Sequence, residues 1–216
     1  MVLPRTNLND QVYETLRQRV LRREPGPGAK LSLHELASEL AVSRSPVHHA
    51  LTRLVSEGLV TVKPRRGYYV TPVTAAMVED AYDVRLALEL LAAERSVGIV
   101  TTERLAAFHP LLLETERAHS DEEWDTANAK FHGFQVDLAG NEILSRVYRE
   151  MPVNLIVQVV QGSRLTGSEE LAHQHRAIVE AFEAANLELA LEAIRKHIDS
   201  GRRIVLEVVA AAGGAL

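Results

Sequence analysis

Three histidines in the C-terminal part of the chain have the spacing of side chains that face a helix core. His197 belongs to a series of apolar or small residues separated by alternating steps of four and three, which is the repeat of one helix face. His175 occupies the same kind of position in the preceding segment. His132 follows Asn128 by four residues, so these two side chains lie one turn apart on one face.

The four side chains could together form a metal site in the core of a helical bundle. Imidazole nitrogens bind divalent first-row metals, and because the chain has no cysteine, a metal could use only histidine, carboxylate or amide ligands. Ligands from three helices would leave room for an exogenous molecule. Three histidines favour zinc or nickel, with manganese possible, and the neutral amide of Asn128 would bind a cation more weakly than a carboxylate. The alternative is that these histidines are buried and only form hydrogen bonds.

Arg85 lies on another inward-facing stripe, upstream of the histidines. A buried guanidinium needs an anionic partner. Glu89, one turn further on, could be that partner in a purely structural ion pair. Alternatively, Arg85 and the metal could together hold the carboxylate of a small effector. Asn154 and Gln158, four residues apart, could line the same cavity or could be exposed on the surface.

The region that carries these residues is predicted to be entirely helical. Its amphipathic segments are separated by glycine-containing or polar breaks. Pro152 is expected to kink or divide the fourth segment, and the tail AAAGGAL is expected to be frayed. The predicted N-caps are Thr74, Thr102, Asp121 and Asn186. The predicted segments are 74–98, 102–119, 121–139, 142–161, 168–185 and 187–209.

The N-terminal part has a different pattern of elements. An amphipathic helix is predicted from residue 8 to residue 23, where EPGPGAKL ends it. Ser32 and Glu35 form a capping box that begins a second helix, and after the tight AVS turn Ser43 is expected to cap a third. The stretch LVTVKPRRGYYVTPV then reads as two short β-strands joined by a basic turn.

Two short helices joined by a tight turn and followed by a hairpin with a basic tip form the plan of a winged helix-turn-helix, which binds duplex DNA. At 100° per residue, Ser45, His49 and Thr52 point away from the apolar face of the third helix, with His48 and Arg53 on its flanks. These positions are predicted to meet DNA. The adjacent pair His48 and His49 is a poor metal site, because neighbouring helix residues point about 100° apart.

The charge distribution agrees with this division of the chain. Residues 1–73 contain 11 Lys and Arg against 6 Asp and Glu, a net charge of +5, whereas the remainder carries −10. The basic part could face a polyanion. No apolar run of about 18 residues exists and the start MVLPRTNLND lacks a signal-peptide pattern, so we expect a cytoplasmic protein without a membrane partner. The predicted domains are 1–73 and 74–216.

The stretch PGAKLSLHELASELAVSRSPVHHALTRLVSEGLV, followed by RRGYYV, resembles the DNA-binding domain of GntR-type bacterial transcription regulators over residues 8–73. In that family the start of the recognition helix and the tip of the wing bind operator DNA. His48 stands where the family usually has arginine, and His34 at a position that is often basic, so we expect an operator that differs from the family's commonest core. The resemblance implies that Arg44, Ser45 and His48 lie near bases or phosphates, Arg53 on the backbone, and Arg65, Arg66 and Gly67 at the wing.

The second part of the chain resembles the FCD ligand-sensing domain of the FadR subgroup, over residues 74 to about 210. The matching features are N..FH......AGN, HRAI..A and the downstream His197. In metal-containing members the ligands are an acid or amide four residues before the first histidine, and two further histidines. By position these are Asn128, His132, His175 and His197, and many members have aspartate where this chain has Asn128.

Together these features predict a mainly α protein, with an N-terminal winged helix-turn-helix and a C-terminal six-helix bundle. Its expected function is metal-dependent regulation of transcription, in which a homodimer binds a palindromic operator and a small carboxylate in the bundle changes the placement of the DNA-binding domains. One alternative is a metal-dependent hydrolytic enzyme, although no carboxylate is clearly placed as a general base. Another is a DNA-binding protein whose bundle only dimerises.

Overall fold

A computed structural model of the chain describes residues 7–151 and 168–216, which divide into two compact units. The first unit comprises the chain up to Val73 together with Ala215 and Leu216, and the second runs from Thr74 to Gly214. Within the described residues, no helix is both long and apolar enough to cross a membrane.

The first unit consists of three helices and a three-stranded antiparallel sheet. The central strand pairs with both of the others, and its hairpin with the second strand is the one that the sequence predicts. The first strand has two residues, too few for any periodicity to reveal it. The helices are α1 (Leu8–Leu21), α2 (Leu33–Glu39) and α3 (Arg44–Ser56). The strands are β1 (Lys30–Leu31), β2 (Val60–Lys63) and β3 (Gly67–Val70), in the order β1-β3-β2.

The predicted caps of α2 and α3 differ in outcome. The side chain of Ser32 accepts a hydrogen bond from the backbone N–H of Glu35, which is the first of the two hydrogen bonds of a capping box. Ser43 is the N-cap residue of α3, but its side chain makes no capping hydrogen bond. Ala41, with φ of 51°, supplies the tight turn between the two helices.

The core of the first unit forms where α1 packs on α3. The inward faces of both helices carry branched apolar side chains at the spacing of a helix stripe. Burying each of these residues stabilises the unit by roughly 1.5–3 kcal/mol relative to exposure. The residues of this stripe are Val12, Leu16 and Val20 on α1, and Val47, Leu51 and Leu54 on α3.

All described elements of the second unit are helices. Thr74 and Asn186 cap their helices as expected, whereas Thr101 and Ser120 are the caps in place of Thr102 and Asp121. The seven described helices are α4 (Ala75–Ser96), α5 (Thr102–Ala106), α6 (Phe108–Glu116), α7 (Asp121–Asp137), α8 (Glu142–Arg149), α9 (Ser168–Glu183) and α10 (Leu187–Ala211).

The predicted segment 102–119 is divided into α5 and α6 at Ala107. Pro110 gives the physical reason, because it has no N–H to bond the carbonyl of Ala106 and so weakens a helix that continues through both. In the first turn of α6 the missing N–H costs nothing, and Pro110 is tolerated there.

The fourth predicted segment ends early in the described part of the chain. α8 stops at Arg149, with Glu150 as its C-cap. The rest of that segment, including the kink expected at Pro152, lies outside the described residues.

The C-terminal tail is not frayed, which corrects the expectation from its composition. Leu216 is buried, and its N–H donates a 2.9 Å hydrogen bond to the carbonyl of Val73. The N–H of Val73 donates to the carbonyl of Leu216 in return. Gly213 and Gly214 have φ of 88° and 97°, which lets the chain turn back after α10.

An aromatic cluster holds α6, α7 and α9 together. The Phe108 ring stacks on Phe131, with centroids 4.7 Å apart, and meets Phe182 edge-on at 5.6 Å. On the other side of the bundle α10 packs closely on α4, since a Cβ built on Gly201 would lie 3.4 Å from the ring of Tyr82.

Candidate metal and effector centre

Three helices bring the three predicted histidines together in the core of the second unit. His132 lies on α7, His175 on α9 and His197 on α10, and all three are buried. The Nε2 atom of His132 is 3.2 Å from Nε2 of His175 and 3.0 Å from Nε2 of His197. One nitrogen from each ring lies within 4.8 Å of the others. The arrangement is the convergent one that the helical spacing predicted.

Burial keeps the three rings neutral. It lowers the pKa of His132, and it lowers the pKa of His175 and of His197 well below the ordinary value, with their neighbouring imidazoles adding to the effect. A neutral imidazole has one N–H and one nitrogen lone pair. A metal ion binds the nitrogen that carries the lone pair. The three neutral rings are therefore in the protonation state that binds a cation.

Glu89 determines which nitrogen of His132 carries the proton. Its Oε2 lies 3.1 Å from Nδ1 of His132. Burial acts to raise the pKa of Glu89, but His132 and Arg85 beside it hold that pKa well below its usual range. The ionised carboxylate can only accept, so Nδ1 of His132 donates and its Nε2 presents a lone pair.

The donor set of this cluster fits a metal ion. Nε2 of His132 has a single lone pair, yet two other ring nitrogens lie at hydrogen-bond distance from it. A cation held by all three nitrogens would satisfy each lone pair. Two imidazole nitrogens that each bind one Zn²⁺ at about 2.0–2.1 Å in tetrahedral geometry are about 3.3 Å apart. The distances from His132 to His175 and His197 are close to this value, whereas the widest separation in the cluster, within 4.8 Å, would have to shorten for all three nitrogens to bind one ion.

The fourth predicted ligand is less closely associated with the cluster. Asn128 lies one turn before His132 on α7 and is half-buried. Among the described residues, no hydrogen bond joins its amide to the three histidines.

Arg85 and Glu89 form an ion pair, as expected if the inward-facing arginine has a purely structural role. Nε of Arg85 donates to Oε1 of Glu89 at 2.7 Å, and both side chains are buried. The hydroxyl of Tyr148 donates to the same oxygen at 2.8 Å, and burial raises the pKa of that hydroxyl well above its ordinary value. Burial acts to lower the pKa of Arg85, but Tyr148 and Glu89 raise it, so the guanidinium stays charged.

Three buried polar groups in or beside this network lack hydrogen-bond partners in the described part of the chain, and one of them is Nδ1 of His197. Nη2 of Arg85 makes no hydrogen bond there, although the side chain is buried. The amide nitrogen and oxygen of Gln135, three residues after His132, make no hydrogen bond of normal geometry there, although the amide lies close enough to His132 to act to raise its pKa. Buried polar groups are normally hydrogen-bonded, so these atoms could pair with a bound molecule. The other predicted effector residues, Asn154 and Gln158, lie outside the described residues.

Sequence reasoning missed Thr115 and Tyr148, which contact His175 and Glu89 respectively. Tyr148 follows the buried Leu144 by four residues, a signal that could have marked it as inward-facing. Thr115 has no such signal, because its role depends on how closely α6 approaches α9.

The predicted DNA-contacting residues of the first unit are mostly exposed. The ring of His48 meets Tyr68 of β3 edge-on, with centroids 6.2 Å apart, so the start of α3 and the hairpin lie side by side. Gly67, which begins β3, is half-buried. The exposed residues are His34 on α2, Arg44, Ser45, His48, His49, Thr52 and Arg53 on α3, and Arg65 and Arg66 in the turn of the hairpin.

Arg53 is exposed but is tied to α1 in the structure. Its Nη1 lies 2.8 Å from Oδ1 of Asp10, and its guanidinium lies 3.6 Å from the centroid of the Tyr13 ring. A contact from Arg53 to a DNA backbone would therefore compete with, or share, these interactions.

Comparison with known families and proteins identifies the two parts of the chain. Residues 8–70 match the family described as bacterial regulatory proteins, gntR family, and residues 80–200 match the FCD domain. The chain is 30% identical to the HTH-type transcriptional regulator YdhC of Bacillus subtilis, over 88% of this chain and 87% of that protein. It is 34% identical to an HTH-type transcriptional regulator of Streptomyces ambofaciens, over 90% and 83% of the two chains.

The solved structure of McbR/YncC from E. coli has the same fold, with a TM-score of 0.65 at 24% identity, over 96% of this chain and 99% of that one. The matched family of the first unit and the relatives named here are transcriptional regulators, which supports the regulator over the hydrolase alternative. The chain therefore belongs to the GntR family of bacterial regulatory proteins, as a DNA-binding transcriptional regulator whose second unit is an FCD domain.

Proposed function

We propose that this regulator senses a small carboxylate through a metal ion held by His132, His175 and His197. The observation that carries the proposal is the convergence of three buried, neutral ring nitrogens, with Nε2 of His132 placed 3.2 Å and 3.0 Å from the other two. A divalent ion would supply a positive charge that attracts an anionic effector. Zinc or nickel is favoured by the three histidines, and manganese is the further candidate. Asn128 is the candidate for a further, weaker oxygen ligand.

Arg85 would provide the second attachment point for the effector. Its Nε is engaged by Glu89, but Nη2 is buried and has no partner among the described residues, so a carboxylate could accept a hydrogen bond from it. The unpaired amide of Gln135 could bind a further polar group of the same molecule. Asn154 and Gln158 remain candidates for the same site.

On the DNA side, we propose that a homodimer binds a palindromic operator in the cytoplasm. The exposed start of α3 would enter the major groove, where Arg44, Ser45 and His48 meet bases or phosphates. His34, His49, Thr52 and Arg53 would lie around it on the helix pair, and the hairpin turn of Arg65, Arg66 and Gly67 would grip the backbone.

A thermal-shift screen of small organic acids, with and without a chelator, tests the effector site. A true effector should raise the melting temperature, and the chelator should cancel that rise if the metal mediates binding. His175→Ala should abolish the shift as well. His173→Ala is the matched control, because His173 lies on the same helix but is exposed, and it should respond like the wild type.

The competing candidate is a bundle that serves only to dimerise, and the buried Arg85–Glu89 pair favours it, because that pair needs no effector. Metal analysis separates the two candidates. A protein purified without added metal that contains no stoichiometric metal, and whose His132→Ala and His175→Ala variants respond normally to an effector, would leave only the structural bundle.

A further inference from the structure

Thr115, on α6, is the nearest polar neighbour of His175 outside the histidine cluster. Its Oγ1 lies 3.2 Å from Nδ1 of His175, and both residues are buried. The same hydroxyl donates a 2.8 Å hydrogen bond to the carbonyl of Leu112 in its own helix. A hydroxyl has one proton to donate, and the carbonyl can only accept. The proton of Thr115 is therefore committed to Leu112, and toward His175 its oxygen acts as an acceptor.

This hydrogen bond fixes the tautomer of His175. Because the Thr115 oxygen accepts, Nδ1 of His175 must carry the proton and donate it. The lone pair of the neutral ring then lies on Nε2, the atom that faces His132 at 3.2 Å. The opposite tautomer would direct an N–H from Nε2 toward His132 and remove the lone pair that a metal needs.

The packing around His175 restricts the orientation of its ring, so that the position of the ring proton is the main property that can still change. Its plane stacks on Phe131, with centroids 4.2 Å apart and an interplanar angle of 26°. It also stacks on Trp124, at 5.6 Å and 14°. A ring that stacks on two aromatic side chains cannot easily rotate to exchange its two nitrogens, because the stacked side chains would have to move.

We propose that Thr115 is the positioning residue of the metal centre, which acts through His175 by holding its proton on Nδ1. The proposal rests on the proposed metal site. Thr115 would touch neither the metal nor the effector. It would set the affinity for the metal by making the ring present a lone pair in advance, as outer hydrogen-bond partners of metal-bound histidines do.

Zinc affinity of the full-length protein, measured by competition with a chromophoric chelator, tests the proposal. Thr115→Val keeps the shape and removes the acceptor, and it should weaken zinc binding by roughly 10–100-fold, the usual effect of losing such a partner. Thr115→Ser restores a hydroxyl and should restore the wild-type dissociation constant. Ser96→Ala is the matched control: Ser96 is also buried and donates to a carbonyl of its own helix, that of Ala92, and its loss should leave zinc affinity unchanged.

The tautomer itself can be read without metal, from the nitrogen chemical shifts of His175 in the metal-free protein. Wild type should show an unprotonated Nε2, and Thr115→Val should move the population toward the Nε2-protonated form. Equal zinc affinity of wild type and Thr115→Val, or the same tautomer in both, would overturn the role of Thr115 while leaving the metal site intact. A wild-type protein that does not bind zinc at all would instead overturn the proposed metal site, and with it this inference.

Discussion

Among single residues, Glu89 is the one that links the polar side chains in the core of the second unit. Its two oxygens accept hydrogen bonds from Arg85, Tyr148 and His132, so one fully buried carboxylate is compensated by one charge and two further donors. Such a group is stable only while its partners remain, and the partners depend on it equally. Glu89 therefore connects the arginine proposed to hold the effector with the first histidine of the candidate metal site.

Replacing Glu89 by alanine should strongly destabilise the second unit. The change leaves the charge of Arg85 buried and uncompensated, which costs about 3–5 kcal/mol in comparable buried pairs. Chemical denaturation followed by circular dichroism measures the free energy of unfolding. Glu114→Ala is the comparison, because Glu114 forms an exposed pair with Lys130 and its loss should cost less than about 1 kcal/mol. Equal losses for the two variants would contradict the importance of the buried network.

Arg44 is the residue of α3 whose effect on DNA binding is most direct to test. It is exposed at the first position of the helix, and Arg44→Ala should weaken operator binding by at least ~1 kcal/mol. The probe is a duplex selected by the wild-type protein from a random-sequence pool, with binding measured at matched salt. Arg195→Ala, which removes an exposed arginine from α10, should bind as the wild type does. Unchanged affinity of Arg44→Ala would remove this residue from the contact surface.

At the scale of elements, the predictions succeeded where local signals and tertiary packing agree. The helix pair α2 and α3, the hairpin of β2 and β3 and the inward stripes of the bundle all follow from periodicity and caps. The division at Ala107 was missed although Pro110, inside the predicted segment 102–119, is a residue type that breaks helices. The three histidines could be predicted from their stripes, and the spacing of Tyr148 from Leu144 could have marked it as inward-facing. The contacts that Thr115 and Tyr148 make could not be predicted, since their partners come from distant parts of the chain.

The stabilisation that comes from the contact between α1 and α3 is expected to depend on pH. The hydroxyl of Tyr13 donates to Glu57 at the end of α3, and burial, together with Glu57, raises the pKa of Tyr13 to about 12. A raised pKa in the folded state stabilises the protonated form, so this stabilisation is complete below the unfolded value of about 10 and is lost as the pH rises through about 12.

Tyr13→Phe should remove that dependence. Between pH 9 and pH 12, roughly spanning the two pKa values, the first unit of the wild type should lose more stability than that of the variant. The melting temperatures of both proteins are measured across this range. The difference between them at each pH reports on Tyr13 alone, because the other tyrosines are the same in both. Parallel curves would show that the Tyr13–Glu57 hydrogen bond does not stabilise the packing of α1 on α3.

At the scale of the whole molecule, the two units have opposite charge and different chemistry. The basic first part, with a net charge of +5 over residues 1–73, carries the surface suited to a polyanion, and the remainder, at −10, carries the candidate metal centre. The division at Val73 is complicated by the last two residues, which return to the first unit. Composition alone suggested a frayed tail there, because it could not show that Leu216 is buried.

Leu216→Ala should destabilise the first unit by about 2 kcal/mol or more, because a buried leucine side chain is removed. The melting temperature of the first unit, followed through DNA-binding activity after heating, measures the effect. Leu189→Ala is the control, since Leu189 is 51% exposed and its truncation should cost little. A melting temperature equal to that of the wild type would mean that the buried side chain of Leu216 contributes nothing to the stability of the unit.

The pairing of Val73 with Leu216 also has a meaning for evolution and for engineering. The second unit starts at Thr74 and ends at Gly214, and each of these ends lies within two residues of that hydrogen-bonded pair. A domain whose first and last residues lie side by side can be cut out and grafted into a loop of another protein, or be circularly permuted, without stretching its host. The second unit of this regulator thus has its two ends placed as such a transfer or permutation requires.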